Sequence, residues 1–217
     1  MDPTVFQSLQ QAGKSIVAVA RGGKLLGFIA VSDRLRSSSR QAVVRLNQMG
    51  IEVVMLTGDN AQTAAAIASE AGINRYQSEV LPGDKAQAIA KLKIEASSTG
   101  KRVGMTGDGI NDAPALAAAD VGFAMGAGSD VAMETAGVTL MRNDLNGVAD
   151  AIDLSRATLS KIRQNLFFAF VYNVLGIPLA ALGMLNPVIA GAAMAMSSVS
   201  VVSNSLLLRR WKPVRRE

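Results

Sequence analysis

The chain has 217 residues and a formal net charge of +5 at pH 7, and 49% of its residues are hydrophobic. It contains no cysteine and no histidine, which excludes disulfides, thiolate or zinc–histidine sites and histidine-based general base catalysis. Charged residues are common up to Arg163 and absent from there to Arg209, so a polar part precedes a strongly apolar part.

Short apolar runs alternate with helical patterns through the first 143 residues. Residues 16–31 predict two strands joined by Gly22-Gly23, and residues 32–50 predict a helix that ends before Gly50. The pattern then predicts strands at 51–56, 76–80, 101–105, 120–125 and 138–141, and helices at 61–72, 83–96 and 111–119. This alternation predicts an α/β layer with a parallel sheet, whose ligands lie at the carboxyl ends of the strands.

The apolar part begins with a long helical pattern at 145–165 that runs directly into residues 166–185, which carry no charge. After Asn186-Pro187 comes a second uncharged stretch, residues 188–208. Each stretch is long enough to cross about 30 Å of hydrocarbon, and a pair of buried helices in a soluble bundle is the alternative. Basic residues flank only the outer ends, which predicts a membrane hairpin with both ends in the cytoplasm.

Two similar acidic turns follow predicted strands. TGDN spans residues 57–60 and TGDG spans 106–109. Thr57 and Gly58 of the first turn, which Asp59 completes, are expected to donate a hydroxyl and an N–H to a phosphate. Asp108 of the second turn is a hard oxygen ligand suited to magnesium.

Three more polar residues belong to the same predicted site. Lys85 follows LPGD at the start of a predicted helix, where its charge and the helix N–H groups favour an anion. Asn111 is expected to donate from its amide, and Asp112 to orient that network. Taken singly, each of these residues is more often part of a polar surface turn, whereas together, in this order and alternation, they indicate a site.

In this order and spacing, TGDN, LPGDK and TGDGINDAPAL resemble the second half of the phosphorylation domain of P-type ATPases, which has the haloacid dehalogenase-like fold. The stretch VGFAMGAGSDVAMETAGVTL is similar to the continuation of that domain. The resemblance implies that Thr57 and Lys85 bind an aspartyl phosphate and that Asp108 holds Mg²⁺. Asn111 and Asp112 would complete the network, and ATP would bind a nucleotide-binding domain that is largely missing.

The resemblance also implies a domain organisation and a location. Residues 1–32 would be the end of the nucleotide-binding domain, with a hinge near Asp33, and residues 33–150 the phosphorylation domain without its nucleophile strand. Residues 151–211 would form the long helix and the membrane hairpin, followed by a basic cytoplasmic tail at 212–217. A multi-pass protein of a bacterial inner membrane is expected.

Polar residues inside the predicted hairpin indicate its cargo. The first span carries Tyr172-Asn173, and the second carries MAMSS, with Met194 and Ser198. The thioether of a methionine is a suitable ligand for copper(I). The alternative is that the methionine fills space in the core and that the serines form a helix–helix contact. The pattern resembles copper(I)-transporting P-type ATPases, in which these four residues would line the copper path. Zinc and cadmium exporters have an acidic residue in the last helix, which is absent here.

Several family motifs do not occur in the chain, namely DKTGT with its nucleophilic aspartate, the TGE loop, the cysteine-proline-cysteine motif and the adenine-binding histidine. The isolated chain is therefore expected to be inactive, and to be part of an ATP-driven copper(I) pump, with silver as an alternative cargo. Its expected partners are the rest of the pump or a copper chaperone, with no nucleic acid. The alternatives are a non-catalytic membrane protein that binds magnesium or phosphate or modulates a pump, and a free-standing phosphatase that uses Asp33.

Overall fold

The protein is described by a computed structural model that covers residues 14–31, 35–108, 110–126, 130–184 and 186–213. It divides into two compact units, Met1–Ala149 and Asp150–Glu217. The strands are β1 Ser15–Arg21, β2 Lys24–Val31, β3 Val54–Leu56, β4 Arg75–Gln77, β5 Gly104–Gly107, β6 Val121–Met125 and β7 Val138–Leu140. The helices are α1 Ser37–Gln48, α2 Ala61–Ala71, α3 Lys85–Ser97, α4 Ala113–Ala118, α5 Asp130–Thr135, α6 Asn146–Ala181 and α7 Pro187–Leu206.

The predicted hairpin at the start of the chain is confirmed. Strands β1 and β2 pair antiparallel, and Gly22 and Gly23 join them with φ angles of 56° and 77°. Glycine has no Cβ and therefore adopts these positive angles without strain. Apolar side chains of the hairpin, among them Leu26 and Ile29, are exposed.

The other strands form a parallel sheet in two pieces. Strand β3 pairs parallel with β4, and β5, β6 and β7 pair parallel in that order. Among the strands that the structure describes, no ladder of hydrogen bonds joins β3 to β5. The predicted parallel α/β sheet is therefore confirmed, but it is interrupted between the two strands that carry the acidic turns.

Local signals place the helix ends as the sequence predicts. Asn60 precedes α2, and its side-chain oxygen accepts a hydrogen bond from the backbone of Thr63 at 2.9 Å. Gly72 ends the same helix in the left-handed conformation, and Gly50 with φ 77° follows α1. These are the preferred capping residues because asparagine satisfies a free N–H and glycine tolerates a positive φ.

Some predicted boundaries were wrong. Strand β3 begins at Val54 rather than at residue 51, and β5 continues through Thr106 and Gly107 into the predicted turn. It does so because these two residues pair with Phe123 and Ala124 of β6. Helix α5 was not predicted at all.

The core of the first unit lies between the sheet and helices α3 and α4. Its most buried large side chain is Leu116, which is 2% exposed. Burial of such a side chain contributes about 2 kcal/mol to the free energy of unfolding. Residues from β3, β5 and β6 pack on this single core, namely Val54, Leu56, Met105 and Ala124. Both pieces of the sheet are thus held by one core, although no hydrogen-bond ladder joins them among the described strands.

The second unit consists of most of α6, together with α7. Both helices are long and apolar enough to cross a membrane, and Pro178 lies inside α6. Helix α6 ends at Ala181 rather than at residue 185, and α7 starts at Pro187 and ends at Leu206. The side chain of Asn186 accepts a hydrogen bond from Val188 at 2.8 Å and so caps the start of α7.

Some of the expectations concern residues outside the described part of the chain. They are the end of the nucleotide-binding domain within residues 1–13, Asp33 as a hinge or nucleophile, and the tail beyond residue 213.

Candidate functional site: an acidic cavity at the strand ends

An ion pair between Lys85 and Asp112 forms the centre of the site in the first unit. The Lys85 ammonium donates to Asp112 Oδ1 at 2.7 Å, and the two side chains are 20% and 12% exposed. Lys85 is the first residue of α3, and Asp112 is the residue before α4. The structure therefore brings together two predicted site residues that are 27 positions apart.

Gly107 leaves the space that Asp112 occupies. A Cβ atom at position 107 would lie 2.6 Å from Asp112 Cβ and 2.9 Å from Asp112 Oδ2. Real Cβ contacts are not this short, so any larger residue here would displace the carboxylate. The glycine in this acidic turn is required by the close approach of Asp112.

An open cavity of about 420 Å³ lies next to this ion pair. It is lined by polar groups from the ends of strands and helices, among them Lys85, Asp108 and Asp112, and by apolar Leu56, Met105 and Met125. Asp108 is exposed. Residues of both β3 and β5, on either side of the interruption in the sheet, are among those that line the cavity.

The carboxylates of Asp108 and Asp112 match the hard oxygen ligands that Mg²⁺ prefers. Within the described ranges, no three acidic side chains converge on one point. The donor chemistry therefore fits a magnesium ion, and further ligands have to come from phosphate, from water or from protein outside these ranges.

The first acidic turn is ordered by its own contacts. Thr57 Oγ1 donates to Asp59 Oδ2 at 2.7 Å and accepts a hydrogen bond from the Asp59 backbone at 3.1 Å. Gly58 and Asp59 are exposed. Among the described residues, the cavity reaches Leu56, directly before this turn, but is not lined by Thr57, Gly58, Asp59 or Asn111.

Sequence reasoning missed one wall of the cavity. This wall comes from the start of α1 and from the segment before α6, with Arg36, Ser38, Ser39, Asn143, Asp144 and Leu145. Arg36 Nη1 donates to the Asn143 carbonyl at 2.6 Å, and Asn146 Nδ2 donates to the Ser38 carbonyl at 3.2 Å. These contacts join segments more than 100 residues apart, so no local pattern signals them.

Asp120 is a structural carboxylate outside the cavity. Its Oδ2 accepts a hydrogen bond from the Val103 backbone at 2.8 Å, and its Oδ1 lies 3.3 Å from Lys93 Nζ and 3.7 Å from Arg102 Nη1. The backbone hydrogen bond, with help from the two cations, holds the pKa of Asp120 below its ordinary value. This group supports the entry into β5 and is not expected to bind a ligand.

The second predicted site is not brought together in the described chain. Asn173 Nδ2 donates to the Ala169 carbonyl at 2.8 Å, and Ser198 Oγ donates to the Met194 carbonyl at 3.3 Å, each within its own helix. Met194 is 70% exposed, and Tyr172 is half-buried. None of the hydrogen bonds of the described part joins Tyr172 or Asn173 to Met194 or Ser198.

Comparison with known families agrees with this fold. Residues 3–120 match the model of the haloacid dehalogenase-like hydrolases, and the chain belongs to that family. Within it, the resemblance to copper-transporting P-type ATPases is confirmed. The chain is 55% identical over 207 residues to a copper-exporting P-type ATPase of Bacillus subtilis, and 54% identical over 204 residues to a probable copper-importing P-type ATPase A of Enterococcus hirae.

These relatives are much longer than the chain. The matches cover 95% and 93% of this chain but only 25% and 28% of the two relatives. A crystal structure of a zinc-transporting PIB-type ATPase in its E2·Pi state matches 94% of this chain and 33% of that chain, with a TM-score of 0.81 and 41% identity. The chain therefore spans about a quarter of the curated pumps and a third of the solved one.

Proposed function

We propose that this chain supplies the magnesium- and phosphate-binding part and two membrane helices of an ATP-driven copper(I) pump that works through an aspartyl phosphate. The observation that carries the proposal is the cavity beside the Lys85–Asp112 ion pair, which opens at the interruption between β3 and β5. A strand with a nucleophilic aspartate at its end would enter the sheet there and complete the site.

Each predicted site residue has a role in this proposal, and three of them, Lys85, Asp108 and Asp112, line the cavity. The Lys85 ammonium and the first N–H groups of α3 lie beside the transferred phosphate. Their positive charge offsets the negative charge of the phosphate. Asp108 and Asp112 hold Mg²⁺, which supplies charge neutralisation for the phosphoryl group when bound. Gly58 donates its backbone N–H to the phosphate, and Thr57 donates its hydroxyl once that proton has turned away from Asp59, its acceptor in the structure. Asn111 completes the network from the opposite turn.

The cargo is proposed to be copper(I), with silver as the chemically similar alternative. Met194 offers a soft thioether, and Tyr172, Asn173 and Ser198 offer further polar donors along the two helices. The names of the relatives include both copper exporters and a probable importer. Export is proposed because it is the direction of the family that the sequence resembles. A copper chaperone is a suitable donor for the rest of the pump.

The isolated chain is proposed to be inactive. The nucleophile, the TGE loop and the adenine site of the family are absent from its sequence. They would be supplied by protein beyond this chain, with the nucleophile strand entering between β3 and β5. If no such partner exists, the remaining role is that of a membrane protein that binds magnesium or phosphate or modulates a pump.

A chimera tests this proposal. The chain replaces the matching quarter of the Bacillus subtilis pump, and the product is incubated with labelled ATP in membranes. We expect a copper-dependent phosphoprotein that is stable in acid and cleaved by hydroxylamine. The Asp108→Asn and Lys85→Met chimeras should lose at least about 10-fold of the label, because each removes a group beside the phosphate.

The control chimera carries Asp120→Asn, which removes a carboxylate of the same unit that lies outside the cavity. It should be labelled like the parent. An inserted, folded chimera that takes no label, or whose label responds to zinc rather than to copper, would contradict the proposal. Labelling of the isolated 217-residue chain would show that it carries its own nucleophile.

A further inference from the structure

A second polar cluster lies in the helical unit, away from the residues proposed for the copper path. Lys161 Nζ donates to Asn204 Oδ1 at 2.8 Å, Asn204 Nδ2 donates to Asn165 Oδ1 at 2.8 Å, and Asn165 Nδ2 donates to Ser205 Oγ at 2.8 Å. This chain of contacts passes three times between α6 and α7. We call these four residues the polar clasp.

Asn204 is the centre of the clasp. It is 8% exposed, and it is the single buried residue of α7, all of which the structure describes. An asparagine is an unfavourable residue to bury in an apolar helix unless its amide is fully hydrogen-bonded. Here its oxygen accepts from Lys161 and its nitrogen donates to Asn165, so its burial depends on the neighbouring helix.

We infer that the polar clasp sets the register between the two helices and that Asn204 is its positioning residue. A buried amide with partners on a facing helix is a known means of specifying helix register, because a slip of one turn leaves it unpaired. Apolar contacts between the helices do not specify the register in this way in a membrane. An apolar side chain that loses its contact with the other helix is then surrounded by lipid, which is equally apolar.

The half-buried residues form one stripe on each helix. On α6 they include Phe168, Ala169, Tyr172 and Gly176, and on α7 they include Val201, Ser200, Ser197 and Ala193. Both sets recur every three or four residues, as expected for one face of a helix. Phe168 lies three residues after Asn165, and Val201 lies three residues before Asn204. The other members of the two sets correspond in the same way, in the order given.

This register has a consequence for the copper path, which rests on the proposed function. Tyr172 lies seven residues beyond Asn165, and Ser197 lies seven residues before Asn204. Seven residues are two turns, about 10 Å, so both remain on the face of the clasp. If this register continues along both helices, Tyr172 is expected at the level of Ser197, which neighbours Ser198 and lies within one turn of Met194.

Cross-linking of the full chain in lipid nanodiscs tests the register, and the absence of native cysteines leaves no background. Phe168→Cys with Val201→Cys is the in-register pair, and Phe168→Cys with Ser197→Cys is one turn off. Oxidation by iodine avoids copper. In the parent background, we expect the in-register pair to cross-link about 10-fold faster than the other, because only that pair is level.

The Asn204→Leu background keeps a similar volume and removes the amide. We expect the ratio of the two rates to fall below about 3-fold there, and to be retained in Asn204→Gln, which keeps the amide. Ser203→Leu changes the neighbouring exposed residue and should also retain the ratio. An unchanged ratio in Asn204→Leu, or an equal fall in Ser203→Leu, would overturn the inference.

If Asn204→Leu does not insert, Asn165→Leu breaks the same network from the other helix and is measured in the same way. The cross-linking needs no copper, so its failure counts against the clasp alone. Copper(I) binding by the parent chain is measured separately by competition with a chelator. A parent chain with the expected ratio and no copper(I) binding would count against the proposed copper path and not against the clasp.

Discussion

In the α/β unit the polar residues of the cavity come from the ends of several strands and helices, whereas in the helical unit the polar contacts join only two neighbouring helices. Lys85 and Asp112 already meet at 2.7 Å in the first unit. In the second unit the polar clasp is formed, but within the described residues no hydrogen bond joins the residues proposed for copper on one helix to those on the other. A shared sheet and core position side chains from distant segments, and two helices alone position only those on their common face.

The largest effect is expected from Gly107→Ala in the α/β unit. The new Cβ would overlap with Asp112 Cβ at 2.6 Å, so either the strand or the carboxylate has to move. We expect the free energy of unfolding to fall by about 2–3 kcal/mol, measured by pulse proteolysis of the full chain in urea.

Gly58→Ala is the matched control in the other acidic turn. Its Cβ would meet the Val80 carbonyl at 3.6 Å, an ordinary contact, so we expect a change below about 0.5 kcal/mol. Equal effects of the two substitutions would mean that the approach of Asp112 to Gly107 does not determine the packing of this turn.

A smaller effect is expected from breaking the ion pair. Asp112→Ala leaves the Lys85 ammonium without its partner at a site that is mostly shielded from water. We expect a loss of about 1–2 kcal/mol, less than for a fully buried pair because both groups retain some exposure. A double-mutant cycle with Lys85→Met isolates the interaction, and a coupling energy near zero would contradict it.

The next prediction compares the pH dependence of stability of the parent chain with that of Asp120→Asn. The pKa of Asp120 is lower in the folded chain than its ordinary value. At a pH between these two values the unfolded chain therefore binds more protons than the folded chain. Its stabilising contribution is present above the ordinary carboxylate pKa and is lost as the pH falls through the lowered value. Urea midpoints between about pH 7 and pH 3 should therefore fall more steeply for the parent than for Asp120→Asn.

Glu134→Gln removes an exposed carboxylate of α5 and is the control for this titration. It should follow the parent curve. Parallel curves for the parent and Asp120→Asn would mean that the hydrogen bond from Val103 does not favour the charged carboxylate.

The smallest effect is expected from Met194→Leu in the helical unit. Met194 is 70% exposed and packs on little of the described chain. The substitution also conserves volume, so the stability of the chain should change by less than about 0.5 kcal/mol. In the chimeric pump the same change should lower copper-dependent phosphorylation, because it removes the thioether. A loss of stability in the isolated chain would instead show that Met194 is a packing residue.

Much of the fold could be predicted from local sequence patterns. The Gly22-Gly23 hairpin, the capping of α2 by Asn60 and Gly72, and the two apolar helices follow from propensities and periodicity within short windows. The boundary of β5 was wrong because pairing with β6 extends the strand into a turn-like sequence. Helix α5 was missed because its six residues follow a glycine-rich stretch that resembles a turn.

The candidate site was only partly predictable. Asp108 and Lys85 stood out because acidic turns and helix starts at strand ends have a known chemistry. The wall formed by Arg36, Ser38 and Asn143 did not, because its residues meet only through the folded chain. The roles of all the predicted site residues stay predictions, and among the described residues Thr57 and Asn111 do not line the cavity.

The sequence by itself determined which residues form strands and helices, which turns carry carboxylates and which stretches are apolar enough for a membrane, because these properties depend on neighbouring residues. Only the tertiary structure decided that Lys85 pairs with Asp112, that Lys161 contacts Asn204 43 residues away, and that the sheet is interrupted between β3 and β5. Such contacts depend on where distant segments meet, and that is set by packing of the whole core and of the two helices rather than by any local pattern.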